Sequence, residues 1–432
     1  MSEQKGISMN KYADMWKGLG LDIKKHDQLL TSLGGIYSDV YMKQEDRPKG
    51  MEYFNFVMSE VHGLRIKELL DHKEKGGKVV GTFCLYVPDE IILAAGGLSV
   101  GLCGGAQFSI PAAEAVLPRN LCPLIKSAYG FKIARICPYF EAADFVVGET
   151  TCDGKKKVWE LLDDHIPTHM VETPQMKKEN DRLLWFDEME AFKDKMEKEA
   201  GISISPDRLE EKIKLVNKKR RAMQRVFNTR KASPVPISGK DALLVSQIAF
   251  YDDPERFTSK VNELADELEK RVKGGEGVVD EKTTRILVSG CPMAVPNWKL
   301  HQTIETSEAV VVCEESCVGT RYFTNLVEED RPTLEGKLKA IAERYLKINC
   351  SCFSPNEERI DQILQYVKEY NAAGVIHYTL QFCHAYNVEF VKVKEALNKA
   401  GVPVLEIETD YSEGDVGQLK TRVEAFIEQV SQ

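Results

Sequence analysis

Short apolar runs separated by amphipathic stretches dominate the chain from about residue 77. "GKVVGTFC" and "GGLSVGLC" are typical of buried strands, and "PDEIILAA" between them predicts a helix that opens on proline. "ADFVVGETTC" is another apolar run, and it leads into the helical pattern of "DGKKKVWELLDD". Alternating strands and helices predict a parallel sheet. We therefore expect a first α/β domain over residues 77–170, preceded by an N-terminal helical region over residues 1–76.

The pattern changes to charged, amphipathic helix between residues 171 and 240. The run "SPDRLEEKIKLVNKKRRAMQRVF" begins with Ser205 as a helix cap and Pro206 at the first helical position. Strand and helix patterns then resume in "TRILVSGC", "EAVVVCEESC", "AAGVIHYTLQFC" and "VPVLEIETDY". The predicted fold is therefore α/β, with two related doubly wound, Rossmann/flavodoxin-like parallel-sheet domains. The helical insert covers residues 171–240 and the second α/β domain covers residues 241–432.

The two predicted domains repeat one order of features. "VVGTFCLYVPDEIILAAGGLSVGLC" gives a strand, Cys84, proline, a helix, a strand and Cys103. "ILVSGCPMAVPNWKLHQTIETSEAVVVC" gives a strand, Cys291, proline, a helix, a strand and Cys313. The repeat predicts a duplicated α/β unit.

Further cysteines occur where chemistry is expected in such a fold. Cys152 and Cys383 each end a strand just before a helix, and upstream of them the two units have "NLC" at Cys122 or "NCSC" at Cys350 and Cys352. Ligands of parallel sheets bind outside the carboxyl ends of the strands. Backbone N–H groups at a helix start stabilise a thiolate, which is the form that binds metal. These positions predict a metal site held by cysteine.

Composition narrows the class of metal and of partner. Eleven cysteines are many for a cytoplasmic chain, in which disulfides are rare. The paired C-x2-C spacing of many zinc sites does not occur in this sequence. Cysteine ligands from separate loops therefore favour an iron-sulfur cluster, and zinc remains the alternative. A net charge of -9 argues against a nucleic-acid partner. No apolar run approaches the roughly 18 residues of a membrane span, so we expect a cytoplasmic protein with no membrane partner.

Two stretches superficially similar to nucleotide-binding loops do not meet the requirements of such loops. "GETTCDGKK" has five residues between its glycines and a lysine where a phosphate loop needs serine or threonine. "AAGGLSVGLCGG" lacks the G-x-G-x-x-G spacing. We therefore assign no ATP site to this chain.

Five motifs together carry a family resemblance. "RNLCPLIKSAYG", "VVGETTCDGKKK", "NCSCFSPNEER", "QFCH" and "IETDYSEGDVGQLKTRVEAF" resemble the 2-hydroxyacyl-CoA dehydratase and benzoyl-CoA reductase subunit family, most closely its double-cubane-cluster branch of anaerobic reductases. In members with one 4Fe-4S cluster, the resemblance implies three cysteine ligands, which match Cys122, Cys152 and Cys383. The double-cubane branch carries an 8Fe-9S cluster with three thiolates on each cubane, which implies six ligands.

We assign the second triplet to Cys317, Cys350 and Cys352. An extended "NCSC" would point the thiols of Cys350 and Cys352 to the same side, as a shared cluster requires. Cys291 is the rival for a place in this triplet, because it also ends a strand. The remaining cysteines are expected to be core or structural residues: Cys84, Cys103, Cys137 and Cys313.

The resemblance implies an ATP-dependent, low-potential reductase. ATP is bound and hydrolysed by a separate homodimeric iron-sulfur activator, which delivers electrons one at a time to the cluster. Members of the branch reduce small molecules such as acetylene or N–N bonded compounds and are expected to be homodimers. Gln381 and His384, beside Cys383, are candidate proton donors. The residues that flank the first three ligands are candidates for stabilising cluster charge or guiding docking: Lys126, Asp153, Lys155 and Lys156.

Two alternatives remain open from the sequence. One is a subunit of a single-cubane 2-hydroxyacyl-CoA dehydratase or acyl-CoA reductase that works with a different second subunit. The other is a non-enzymatic iron-sulfur electron carrier.

Overall fold

The computed structural model describes residues 11–102 and 104–431. Cys103 and the first ten residues of the N-terminal region therefore lie outside the described part of the chain. The fold is α/β and contains two four-stranded sheets in which all strands are parallel. The predicted fold class is thereby confirmed. Among the described residues, no helix is both long and apolar enough to cross a membrane.

The first sheet has the strand order β2-β1-β3-β4. Its two central strands are buried along their whole length, as is typical of parallel sheets covered by helices on both faces. The fourth strand has only one fully buried residue, Val171, which explains why the apolar pattern did not predict it. The strands are β1 (Val79–Thr82), β2 (Leu98–Gly101), β3 (Phe145–Glu149) and β4 (Thr168–Val171).

The second sheet has the strand order β6-β5-β7-β8, which repeats the order of the first sheet element by element. In both sheets the first and third strands of the unit lie in the centre and the second lies at one edge. This shared topology agrees with the duplicated unit expected from the sequence. The strands are β5 (Thr284–Gly290), β6 (Ala309–Glu315), β7 (Gly374–Leu380) and β8 (Val404–Thr409).

Helices precede, cover and connect the two sheets. Four lie before the first sheet: α1 (Ala13–Gly18), α2 (Ile23–Tyr37), which runs on into a π-helical turn at Ser38–Met42, α3 (Met51–Ser59) and α4 (Leu64–Glu74). Five accompany the first sheet: α5 (Asp89–Ala94), α6 (Ile110–Ala113) after a 3-10 turn at Gln107–Ser109, α7 (Pro123–Ile133), α8 (Pro138–Ala142) and α9 (Asp153–Leu162).

The remaining helices connect the sheets or accompany the second one. They are α10 (Glu179–Ala200), α11 (Pro206–Thr229), α12 (Gly239–Ile248), α13 (Pro254–Gly274), α14 (Lys299–Glu305), α15 (Thr320–Phe323), α16 (Leu334–Leu346), α17 (Glu357–Glu369), α18 (His384–Lys399) and α19 (Val416–Val430).

The long helix α11 joins the two halves of the molecule. It starts as predicted, because the Ser205 side chain accepts a hydrogen bond from the Arg208 N–H and Pro206 is the first helical residue. Its Arg220, 1% exposed, pairs with the fully buried Glu90 of α5 at 2.7 Å. Arg220 also donates to the Tyr345 hydroxyl of α16 at 3.2 Å. A buried ion pair therefore ties the first sheet to the helical insert and to the second half of the chain.

Removing Arg220 is expected to destabilise the fold strongly, because Glu90 would be left charged and unpaired in the interior. Arg220→Ala should lower the free energy of unfolding by about 3–5 kcal/mol. The neighbouring Arg221, whose side chain is 48% exposed and pairs with Glu329, is the matched control. Arg221→Ala should lower it by less than about 1 kcal/mol. Urea unfolding followed by circular dichroism measures both, and equal losses would contradict a joining role for the buried pair.

Candidate metal centre

Three of the predicted ligands share one structural position. Cys122 immediately precedes α7, Cys152 immediately precedes α9, and Cys383 immediately precedes α18. The first turn of a helix has backbone N–H groups without intrahelical partners, and the helix dipole adds positive potential there. Each of these thiols therefore has backbone N–H groups beside it that favour the thiolate, whereas burial and contacts with neighbouring thiols raise the pKa of all three in the metal-free chain. We call Cys122, Cys152 and Cys383 the first cysteine set.

The thiols of the first cysteine set converge. Cys122 and Cys383 are hydrogen-bonded to each other, and this contact together with burial raises the pKa of the Cys122 thiol. The more exposed Cys152 accepts a hydrogen bond from the Lys155 N–H at 3.4 Å, and its thiol interacts electrostatically with Cys122. Residues separated by more than two hundred positions are thus brought to one site.

Cys291, the rival for the second triplet, lies with the first cysteine set instead. It follows β5 directly, and its sulfur accepts a hydrogen bond from the Leu380 N–H at 3.5 Å. Contact with Cys291 and burial outweigh the opposing effect of the Cys122 hydrogen bond and raise the pKa of the Cys383 thiol. Cys291 is therefore a second-sheet neighbour of Cys383.

Cys317, Cys350 and Cys352 form a second group, which we call the second cysteine set. Cys317 lies between β6 and α15, whereas Cys350 and Cys352 lie in the loop between α16 and α17. The electrostatic neighbours of Cys317 include Cys350, and Cys350 is hydrogen-bonded to Cys352. The three thiols predicted to form the second triplet are therefore close together.

The "NCSC" segment is a turn and not an extended strand. The Phe353 N–H donates to the Cys350 carbonyl at 3.2 Å, and the Cys350 N–H donates to the Ile348 carbonyl at 2.9 Å. The expectation of an extended segment is therefore wrong, because these local hydrogen bonds close the chain on itself. The turn still brings the Cys350 and Cys352 thiols together, with Cys352 Sγ 3.9 Å from the Tyr86 hydroxyl.

The second cysteine set lies against buried positive charge. Arg321, 3% exposed, pairs with Glu315 at 2.5 Å, hydrogen-bonds the Tyr386 hydroxyl and has its Nη1 3.9 Å from Cys317 Sγ. The hydrogen bond from Cys352, with the Arg321 guanidinium as a smaller contribution, lowers the pKa of Cys350. Burial raises the pKa of Cys317, and Arg321 partly offsets that effect. The set thus combines one ionised thiol with others held protonated.

Lys155 of α9 stands between the two cysteine sets. Its ammonium group pairs with the fully buried Glu149 at the end of β3. The same ammonium group acts electrostatically on Cys152 of the first set and on Cys317 of the second. The carboxyl ends of the two sheets therefore face each other, with one lysine between them.

A cavity of about 180 Å³ opens between the carboxyl ends of the two sheets. Most of its lining is apolar, and both halves of the chain contribute to it. Cys84, which was expected in the core, is half-buried and lines this cavity, and its electrostatic neighbours are Cys317 and Cys350. The lining also includes Phe83, Leu124, Phe131, Phe250, Ala294 and Val318, with His62, Lys155 and Gln247 as polar members.

The other predicted residues lie outside the two cysteine sets. Cys313 is fully buried in β6, as expected of a core residue. Cys137 is half-buried at the start of α8 and lines the cavity. Gln381 is half-buried after β7, and His384 is exposed at the start of α18. Neither Gln381 nor His384 is among the described residues that line the cavity.

The candidate donors of both cysteine sets are thiols. Among the described residues, no group of three or more His, Cys, Asp or Glu side chains is arranged to hold one metal ion. Cluster ligands bind different irons and stand farther apart than the ligands of one ion. The two cysteine sets, with Cys291 against the first, present their thiols at helix starts and in loops. The described cysteines are all free of disulfides.

Several polar residues of the site carried no sequence signal. Arg321 and Tyr386 contact the second cysteine set, and Tyr86 lies against Cys352. None of these residues belongs to a spacing motif, and Tyr86 is separated from Cys352 by most of the chain. Only the folded structure brings them to the thiols.

Comparison with known proteins adds a family match. The family model described as "2-hydroxyglutaryl-CoA dehydratase, D-component" matches residues 84–430, which include both cysteine sets. The "Putative dehydratase subunit YjiM" of Escherichia coli (strain K12) is 39% identical over 373 residues, covering 86% of this chain and 96% of that protein. The "(R)-phenyllactyl-CoA dehydratase beta subunit" of Clostridium sporogenes is 25% identical, with coverage of 84% and 94%. The "(R)-2-hydroxyglutaryl-CoA dehydratase, subunit beta" of Acidaminococcus fermentans is 23% identical, with coverage of 83% and 94%.

The lowered pKa of Cys350 predicts selective alkylation of the metal-free, full-length chain. A pH of 7 lies above the pKa of the Cys350 thiol. Cys350 is therefore present as the thiolate, which is the nucleophile. Iodoacetamide should therefore modify Cys350 at least about tenfold faster than Cys317, the difference that one pKa unit gives. Cys352→Ala removes the hydrogen bond that lowers this pKa and should slow the modification of Cys350, whereas the control Cys137→Ala, outside both cysteine sets, should not. Peptide mass spectrometry measures the alkylation rates of Cys350 and Cys317. Equal rates for the two cysteines, unchanged in all variants, would contradict the lowered pKa of Cys350.

Proposed function

Because the chain belongs to the 2-hydroxyglutaryl-CoA dehydratase D-component family, as its motifs predicted, we propose that it is an ATP-dependent, low-potential reductase with an 8Fe-9S double-cubane cluster. The observation that carries the proposal is the grouping of the thiols. The six cysteines that we propose as ligands lie in two groups of three at the facing carboxyl ends of two parallel sheets, with Cys291 beside the first group and Cys84 near the second. A single cubane with three protein ligands would leave the second set without a role.

We assign one cubane to each cysteine set. Cys122, Cys152 and Cys383 would hold the first, since each thiol starts a helix that stabilises a thiolate. Cys317, Cys350 and Cys352 would hold the second. The cluster supplies electrons at low potential to a molecule bound beside it.

Charged residues of the chain fit an anionic cluster. Metal binding requires deprotonated thiols, so the bound thiolates need nearby positive charge. Lys155 lies between the two sets, and Arg321 lies against the second set. Tyr86 and Tyr386 place hydroxyl groups 3.9 Å and 3.8 Å from the sulfurs of Cys352 and Cys350. These groups would stabilise the thiolates electrostatically and exclude water from them.

The cavity supports a small, apolar substrate. An apolar cavity of about 150 Å³ is large enough for benzene, so a cavity of about 180 Å³ admits molecules of that size or smaller. Its lining includes Cys84 and Cys317, so a molecule bound there would lie next to the second cysteine set. We therefore propose acetylene-like or N–N bonded molecules as the substrate class.

The proposed activity needs a second protein. The described chain supplies no phosphate-binding motif, so the ATP that drives low-potential reduction would be hydrolysed by a homodimeric iron-sulfur activator that docks on this protein. By the same resemblance we propose that this protein is itself a homodimer and works in the cytoplasm. The activator, the homodimer and the cytoplasmic location are proposed because the motifs of this chain resemble those of the family.

A second candidate function is favoured by the names of the relatives. Several of them are subunits of acyl-CoA dehydratases or of benzoyl-CoA reductase. In that case the first cysteine set would hold one 4Fe-4S cluster, the chain would pair with a different subunit, and the second cysteine set would be structural.

Iron and acid-labile sulfide per chain decide between the two candidates. Anaerobically purified wild type should contain about eight irons and nine sulfides, and Cys350→Ser/Cys352→Ser about four irons. Cys137→Ser, outside both cysteine sets, is the control and should keep about eight. About four irons in all three proteins would support the single-cubane candidate and reject the double cubane.

Filling the cavity should block turnover without loss of metal. Ala294, 5% exposed, lies in the cavity lining and belongs to neither cysteine set. Ala294→Phe should lower the rate of acetylene reduction at least about tenfold, because pocket volume limits small substrates, while the iron content stays unchanged. Unchanged turnover with unchanged iron would show that the substrate binds elsewhere.

A further inference from the structure

Two buried histidines lie side by side next to the cavity. His26 lies on α2 and His62 follows α3, and together they form a ring pair with Nε2 of His26 3.0 Å from Nδ1 of His62. The ring centroids are 5.1 Å apart and the rings are nearly parallel. His62 lines the cavity, whereas His26 lies on the side of the pair away from it. The contact is a direct hydrogen bond between two imidazoles.

Both imidazoles are neutral at pH 7. His26 is fully buried and His62 is 9% exposed. Burial lowers the pKa of His26 to about 4 and holds the pKa of His62 well below its usual range. A neutral imidazole has one donor and one acceptor nitrogen, so one ring of the pair donates to the other. Two such rings in a row form a short proton wire.

Each end of the histidine pair has a ring nitrogen that can exchange a proton with its surroundings. His26 Nδ1 is buried, has no hydrogen-bond partner among the described residues and lies 3.8 Å from Oδ1 of Asp27. The Asp27 side chain is 46% exposed, so this end reaches solvent through one carboxylate or one water molecule. At the other end, Nδ1 of His62 is occupied by His26, which leaves Nε2 for a molecule in the cavity.

Aromatic neighbours hold the two rings in place. The Trp16 indole N–H donates to the His62 carbonyl at 2.7 Å, and the Trp16 ring lies 4.4 Å from the His26 ring. Tyr139, which also lines the cavity, packs edge-on against His62 at 6.0 Å. The pair is therefore fixed at the spacing that proton transfer needs.

We propose that His26 and His62 carry protons from solvent at Asp27 to the substrate in the cavity. The inference rests on the proposed reductase function. Reduction of a carbon–carbon triple bond to a double bond takes two electrons and two protons. The electrons come from a low-potential iron-sulfur donor by way of the cluster, and the protons come from water.

Each proton passes by the same exchange of N–H bonds. His62 gives its Nε2 proton to the substrate and takes a proton at Nδ1 from His26 Nε2, and His26 takes one at Nδ1 from Asp27 or water. The passage leaves both rings protonated at Nδ1, so both must return to the Nε2 tautomers before the second proton passes. Gln381 and His384 lie beside Cys383 and not along this route.

Kinetics of the anaerobically purified full-length protein test the relay. With titanium(III) citrate as electron source, His62→Gln keeps a polar side chain but cannot relay a proton, and acetylene reduction should fall about 10²-fold or more. In His62→Ala the rate of acetylene reduction should fall similarly. Added imidazole, which replaces the lost ring, should raise that rate again by at least about tenfold. Iron content and the rate of cluster reduction should stay at the wild-type level. The half-buried His169, which stacks on Phe192 away from the cavity, gives the control His169→Gln with unchanged turnover.

A purely structural pair predicts other results. Turnover lost together with iron, or lost without rescue by imidazole in a protein of full iron content, would overturn the relay. Unchanged turnover in His62→Gln would also overturn it.

Nitrogen NMR of the wild type provides a readout that does not depend on turnover. With ¹⁵N-labelled histidine, the relay requires two neutral rings, both in the Nε2–H tautomer, with a coupling across the His26–His62 hydrogen bond. A charged ring or uncoupled rings would overturn it. If iron analysis finds one cubane while NMR shows the coupled pair, the proposed function fails and the hydrogen-bonded wire stands.

Discussion

The candidate site depends on two sets of thiols that the fold brings to the facing carboxyl ends of its two sheets. Burial and mutual contact raise the pKa of Cys122, Cys383, Cys317 and Cys352, so most of these thiols are protonated in the metal-free chain. Six thiolates at such close range would repel one another strongly in a medium of low dielectric constant. A bound cationic centre, with Lys155 beside it, would make full ionisation favourable. Metal binding would therefore release protons and stabilise the folded state.

The duplicated architecture explains why one site needs both halves of the chain. A single parallel sheet presents its loops on one edge, and ligands bind there. Two such edges placed face to face double the number of loops that reach a common point, and they enclose a cavity between them. Arg220 of α11 pairs with Glu90 beside the first sheet and donates to Tyr345 of α16, so one buried side chain contacts both halves of the chain.

Much of the fold follows from local patterns, and much of the site does not. The apolar runs of β1 to β3 and β5 to β8 and the cap at Ser205 were visible because each depends on neighbouring residues. The sequence pattern did not predict β4, because Val171 is its only fully buried residue. The "NCSC" segment is a turn, because backbone hydrogen bonds within the loop outweigh the strand-like alternation. The grouping of the cysteines was expected from the family resemblance and, for Cys152 and Cys383, from their place after strands. Arg321 and the two histidines depend on contacts between distant segments, which no spacing in the sequence records.

Electrons and protons would reach the cavity through different residues. Cys317 of the second cysteine set and His62 of the histidine pair both line the cavity. Separate routes allow charge to be balanced at the substrate while the cavity stays apolar, since each group that reaches it is fixed by packing. Lys155, paired with Glu149, is the one cation among the described lining residues, and it lies between the cavity and both cysteine sets.

Anomalous X-ray diffraction at the iron edge, from crystals of the anaerobically purified protein, tests the central claim most directly. Each cysteine set should contact a separate group of four irons. The group held by Cys122, Cys152 and Cys383 should be joined to the group held by Cys317, Cys350 and Cys352. A single group of irons at the first cysteine set, with no anomalous signal at the second, would contradict the double-cubane centre.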